Sequence, residues 1–244
     1  DQRLESDKKL KRITLALGAP GKKMAEFWVE PTPSIGVWKA RWALTEAERL
    51  RLRCLSDVLI ADRYGLGSDD VRHILQDSDR PLPITLGNNP KGFWRVDKDK
   101  DPELRHTVLT LIAFHDLEEK VRACGGNSEE GINLFLNQND GEGWLLPETL
   151  CLADYGLGHD ERAKRPQPVA SRLGPRFFDW QLAQSPEESW RECHLHARNL
   201  LGEMGYQQLL NDIKSPGEAK KSLKGPEQPS TADLGRGKQG ELFD

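Results

Sequence analysis

Residues 162–176 carry Arg162, Lys164, Arg165, Arg172 and Arg176 and contain no Asp or Glu. Guanidinium and ammonium groups strung along a proline-bearing loop are suited to neutralising phosphates, so this stretch is the candidate DNA-docking surface. The competing reading is a solvated connector whose arginines pair with acids elsewhere in the fold. The whole chain has a formal net charge of -4, so a nucleic-acid surface, if present, is local.

Other residue groups carry weaker chemistry. His194 and His196 lie two apart in an expected helix and point in different directions, whereas helical metal ligands favour spacings of three or four. Glu118 and Lys120 form a Glu-x-Lys of the kind found in metal-dependent nucleases, but in a helix they diverge. Arg95-Val96-Asp97-Lys98-Asp99-Lys100-Asp101 lacks the glycine and the bidentate glutamate of a calcium loop. The glycines at 18–21 and 65–67 match no phosphate-cradling pattern, and no nucleophile elbow surrounds a serine. Of the seven tryptophans, Trp94 and Trp144 sit beside glycine in loops and are the expected exposed ones, available to stack on bases. Trp190 reads as core. We therefore expect no catalytic residue and no metal ligand in this chain.

The elements that would position these groups are mostly helices. Thr45 and Glu48 fit a capping box, opening a helix that runs to Arg63 and stops at Gly65. Ser68 starts a short helix to Leu75. Asp101-Pro102 opens the strongest helix, which reaches Ala123 with Leu104, Val108, Leu111, Ile112 and His115 on one stripe. A helix over 129–136 follows, then a turn-rich loop to Gly143, and Pro147 starts another short helix. Ser185-Pro186-Glu187-Glu188 begins the last long helix, with Trp190, Cys193, Ala197, Leu200, Leu201 and Met204 inward and Arg191 and Arg198 outward. Two of these segments end in the same phrase, Tyr64-Gly65-Leu66-Gly67 and Tyr155-Gly156-Leu157-Gly158, as helix stops that use glycine's access to left-handed backbone.

Upstream, Ile13, Leu15 and Leu17 alternate with Thr14 and Ala16. Together with two further short runs they predict a small antiparallel sheet within residues 10–42. The expected organisation is a small β-rich segment over 1–44, a helical domain over 45–213 and a disordered tail over 214–244. The class is thus mainly α with a small N-terminal antiparallel β segment (α+β). The tail is rich in Pro, Gly, Ser, Lys and Glu, with little apolar surface to offset ordering entropy. Its Glu241-Leu242-Phe243-Asp244 reads as a frayed end, with a docking peptide as the rival reading.

Hydrophobic residues make up 36% and the mean hydropathy is -0.67, low for a compact protein, and the tail accounts for part of the deficit. The four cysteines form no Cys-x-x-Cys pair and fit reduced thiols in a cytoplasmic protein. No run has the length of a membrane span. The chain opens on Asp1, and we read it as a carboxy-terminal piece of something longer, or as a chain trimmed of upstream sequence.

Three blocks carry a family resemblance. They are Gly92-Phe93-Trp94-Arg95-Val96-Asp97-Lys98-Asp99-Lys100-Asp101-Pro102-Glu103-Leu104-Arg105-His106-Thr107-Val108, then Asn139-Asp140-Gly141-Glu142-Gly143-Trp144-Leu145-Leu146-Pro147-Glu148, and then Arg172-Leu173-Gly174-Pro175-Arg176-Phe177-Phe178-Asp179-Trp180-Gln181-Leu182, which continues through Glu188–Cys193 to His196–Gly202. These resemble the carboxy-terminal region of large bacterial adenine-specific DNA methyltransferases of restriction-modification and phage-defence systems, over about residues 55–205. The resemblance implies a parent that uses S-adenosylmethionine to methylate the exocyclic amine of a flipped adenine. The family's cofactor loop and Asn-Pro-Pro-Tyr-type motif are absent, and Asn88-Asn89-Pro90-Lys91 is no substitute, so no catalytic residue carries over and this chain itself holds no cofactor. The chain is expected to dock duplex DNA or to act as a scaffold. Its partners would be DNA and either the upstream methyltransferase domain or subunits of a defence complex, with no membrane. The alternative is a non-catalytic helical protein-interaction module.

Overall fold

The computed structural model describes residues 2–18, 29, 42–76, 97 and 99–214. The expectations for Trp94, for residues 19–28 and 30–41 and for the tail beyond Lys214 lie outside the described residues.

The first element is a helix, α1 (Gln2–Gly18), not a strand. Leu10, Ile13 and Leu17 also sit at helical spacing, and that period wins over the alternation of Ile13, Leu15 and Leu17. Ile13 and Ala16 are buried, with Leu10 and Leu17 packed against the same core. Lys9 Nζ donates to Leu136 O at 3.2 Å and Gly141 O at 2.8 Å, tying α1 to the last turn of a later helix and the loop that follows it.

Beyond residues 19–41 lies α2 (Glu46–Arg63). Thr45 Oγ1 accepts the Glu48 N–H at 3.2 Å, as a cap should. The reciprocal half of the capping box is missing, because the Glu48 carboxylate is engaged elsewhere. α2 stops at Gly65, whose φ of 68° needs glycine. In α3 (Ser68–Gln76), the Ser68 N–H donates to Glu118 Oε1 at 3.0 Å. The rival nuclease glutamate is therefore occupied as a helix-start acceptor.

The expected Asp101-capped helix is broken in two. A 3-10 turn spans Pro102–Leu104, Arg105 is extended, and α4 (His106–Ala123) begins afresh. Asp97 Oδ2 accepts the His106 N–H at 3.0 Å, so Asp97 caps α4 and leaves the Asp101 carboxylate for other work. Burial raises the Asp97 pKa, and this bond together with Lys100 outweighs it, leaving a net lowering. α4 is the hub of the fold: Thr107 to Phe114 and Leu117 are all buried. α5 (Ser128–Asn137) crosses it closely, and a Cβ on Gly131 would sit 2.6 Å from Val121 Cα.

After α5 the chain turns through Asn139, Asp140, Gly141 and Gly143, all at positive φ. Trp144, expected to be exposed, is instead only 6% exposed and belongs to the core. The expected helix after Pro147 is also corrected. Thr149–Leu150 (β1) pairs antiparallel with Gln167–Pro168 (β2), and only a 3-10 turn, Leu152–Tyr155, follows. Eight residues separate Pro147 from Gly156, and Thr149 and Leu150 among them give their backbone to β2 instead of to a helix. The protein is thus mainly helical with a small antiparallel sheet, and among the described residues that sheet lies after α5. The second glycine stop does hold: Gly156 has φ 66°. Arg72, just past the first copy of the phrase, donates to Tyr155 O at 2.9 Å in the second.

The chain continues through α6 (Ala170–Leu173), α7 (Asp179–Ala183) and α8 (Pro186–Lys214). The Ser185–Glu188 capping box forms in both directions, at 2.8 and 3.2 Å. Gly202 breaks α8 with φ 72° and ψ 167°, a backbone state reserved for glycine. The second limb folds back, so Tyr206 Oη lies 2.7 Å from His194 Nδ1 across the break. Cys193, Ala197 and Tyr206 form a second apolar cluster with Trp42 and Val29. Met204 is 88% exposed at the tip, where the reversal removes it from the inward stripe.

His196 meets the Trp42 ring edge-on at 4.2 Å. Burial lowers its pKa from the ordinary 6.5. The unfolded chain therefore takes up a proton first as pH falls, so this contact is at full strength above pH 6.5 and weakens below it. Thermal unfolding followed from about pH 7.5 to 5 is expected to show a loss of stability that a His196→Leu variant lacks.

Candidate functional site

The five loop cations do not form an open basic surface. Arg162 Nη1 and Nη2 donate to the Glu103 carboxylate at 2.9 and 2.7 Å, a bidentate fork. Glu103 is 0% exposed. Arg162 also lies 3.4 Å from Asp101, and Arg172 pairs with Asp101 and stands 3.5 Å from Glu103. The Glu103 hydrogen bond raises the Arg162 pKa, and the Arg172 bond lowers that of Asp101.

A second knot holds Arg176. Its Nε donates to Glu48 Oε2 at 2.8 Å, and its Nη1 pairs with Glu142. Glu48 is 2% exposed and also accepts from Arg51 at 2.9 and 2.6 Å. Arg51, itself buried, turns its remaining nitrogen to Glu142 O at 2.9 Å and Trp144 O at 3.0 Å. Thr45 Oγ1 donates to Arg176 O at 2.7 Å, closing the knot on the start of α2. Burial opposes the charge of Arg176, and its bonds to Glu48 and Glu142 outweigh that, so its pKa is raised. The guanidinium also lies 5.0 Å from the Phe177 ring centroid.

The last two cations differ. Lys164 is exposed and makes only a local pair with Glu161 at 3.0 Å. Arg165 is exposed and has no ion pair among the described residues. The expected loop also carries regular structure, since β2 and α6 lie within it.

The residues that sequence reasoning missed are Glu48, Glu103 and Arg51. Each acid sits at a helix or turn start beside apolar residues that are buried, Ala47 and Leu104, which is the one local hint of an inward carboxylate. Nothing local marks their partners, which lie 59 and 128 residues away. Arginine does not give up its proton in proteins, so these carboxylates face donors that hold them but do not exchange protons with them. The arrangement is a clasp, not a reaction centre. No group of three His, Cys, Asp or Glu among the described residues is placed to hold a metal. No disulfide joins the four cysteines, and burial pushes the Cys54 thiol up to about 12, far from a nucleophile. Among the described residues no helix is long and apolar enough to cross a membrane.

The clasp joins the three sequence blocks described above. Asp101 and Glu103 come from the first, Glu142 and Trp144 from the second, and Arg172 and Arg176 from the third. Comparison with protein-family models, with curated proteins and with solved structures finds no match for this chain.

Proposed function

We propose that this chain is a non-catalytic scaffolding portion of an adenine-specific DNA methyltransferase from a bacterial restriction-modification or phage-defence system. The observation that carries the scaffolding reading is the clasp. Arg162, Arg172 and Arg176 are engaged by buried or partly buried carboxylates, where a phosphate would have to displace them. The methyltransferase context rests on the resemblance of the three blocks, the third of which is tied to the first through Arg172 and to the second through Arg176. In this reading methyl transfer belongs to an upstream domain that holds S-adenosylmethionine. The chain works in the cytoplasm, packed against that domain or a defence-complex subunit. Duplex DNA is reached only through Lys164 and Arg165.

Salt dependence of duplex DNA binding separates this from docking by the whole loop. Five phosphate contacts give a slope of log K against log salt near about -4.5, and two give about -1.8. The expected slope is the shallower one, abolished in Lys164→Glu/Arg165→Glu. A slope steeper than about -4 that the double variant leaves standing contradicts the proposal.

A further inference from the structure

The reversal of α8 at Gly202 leaves an open groove of about 300 Å³ lined by Trp190, Arg191, His194, Leu195, Arg198 and Tyr206. Its floor is aromatic and aliphatic, and Leu195 is 48% exposed there. Its rim is cationic. Arg191 and Arg198 are seven residues apart on one limb of the helix, about 10 Å along the axis. Arg198 lies 5.2 Å from the Tyr206 ring centroid. Its acidic partner is Glu203 at 3.1 Å, with side chains 51% and 60% exposed, a pairing that solvent makes weak and easily exchanged.

We propose that this groove receives the chain's own Glu241-Leu242-Phe243-Asp244. Within residues 215–244 Phe243 is the one aromatic residue, and it adjoins Leu242 with an acid on either side. In an extended backbone Glu241 and Phe243 share one face. Phe243 enters against Trp190 and Tyr206, and Glu241 beside it engages the cationic rim of Arg191 and Arg198, with Glu203 displaced. The 26 residues 215–240 separate this segment from Lys214. A chain of that length has a root-mean-square span of about 28 Å if unstructured, whereas the second limb of α8 is only about 18 Å long. The tether holds the segment at roughly millimolar effective concentration, so a weak groove suffices. This inference is independent of the methyltransferase reading.

The test uses the full chain and the indole N–H signal of Trp190, assigned with a Trp190→Phe variant. Phe243→Ala is expected to shift that signal, and added peptide Gly-Glu-Leu-Phe-Asp is expected to move it back. Arg191→Glu/Arg198→Glu in the Phe243→Ala background should weaken the peptide at least about tenfold, since the rim that attracted its carboxylate becomes repulsive. Both arginines are exposed, so thermal unfolding should confirm an unchanged fold in that variant. An unmoved Trp190 signal in Phe243→Ala, or equal peptide affinity after charge reversal, overturns the proposal. So does a Trp190 shift that depends on protein concentration, because the segment would then sit on a second copy.

Discussion

Replacing Glu48 with Ala is expected to cost about 3–5 kcal/mol of folding stability, the range for breaking a buried ion pair by removing one partner. The reason is what remains. The Arg51 side chain is 5% exposed and keeps its two carbonyl acceptors, but its charge loses the facing carboxylate. Arg176 loses its anchor in the same step. Glu48→Gln should lose less but still a substantial part, because the amide keeps one accepting oxygen while its charge is gone and its NH2 faces a guanidinium. Glu48→Leu combined with Arg51→Met should recover only part of the loss, since the facing charges leave together but Arg176 keeps only Glu142 and the Glu142 and Trp144 carbonyls lose their donor. Urea unfolding reads this as a lower midpoint at constant slope. A change below about 0.5 kcal/mol, the size of an ordinary surface substitution, would contradict the account.

The second large effect is expected at Arg162. In Arg162→Ala, Glu103 stays fully buried, with only Arg172 at 3.5 Å to face it. Arg162 is itself 40% exposed, so solvent already screens part of the pair. A loss of about 2–4 kcal/mol follows, somewhat under the range for a fully enclosed pair. Lys164→Ala and Arg165→Ala, by contrast, should each change stability by less than about 0.5 kcal/mol. A positive loop read as one functional surface predicts no such division among its five members.

That division shows what the sequence could and could not reveal. Punctuation was legible. Thr45, Ser185 with Glu188, Gly65 and Gly156 act where their local chemistry places them, because caps and left-handed turns depend on near neighbours. The helical class followed from these signals. Ambiguous periods failed: Ile13, Leu15 and Leu17 satisfy a strand while Leu10, Ile13 and Leu17 satisfy a helix, and packing of Ile13 and Ala16 on the core decides. Gly202 looked like one more residue of a helix, since its reversal is fixed by the return contact of Tyr206 with His194. The clasp was least legible. Arg176 and Glu48 are 128 residues apart, and a run of cations reads the same whether its partners are phosphates or buried carboxylates. The bland alternative, arginines paired with distant acids, describes Arg162, Arg172 and Arg176.

The account turns on whether the Arg162–Glu103 fork holds the fold together. A double-mutant cycle of Arg162→Ala and Glu103→Leu, read by urea unfolding, addresses it directly. The expected result is strong coupling, with the double variant markedly more stable than Arg162→Ala because the stranded buried charge is gone. Additive single effects, with Arg162→Ala as stable as the parent and selectively impaired in binding duplex DNA, would contradict it.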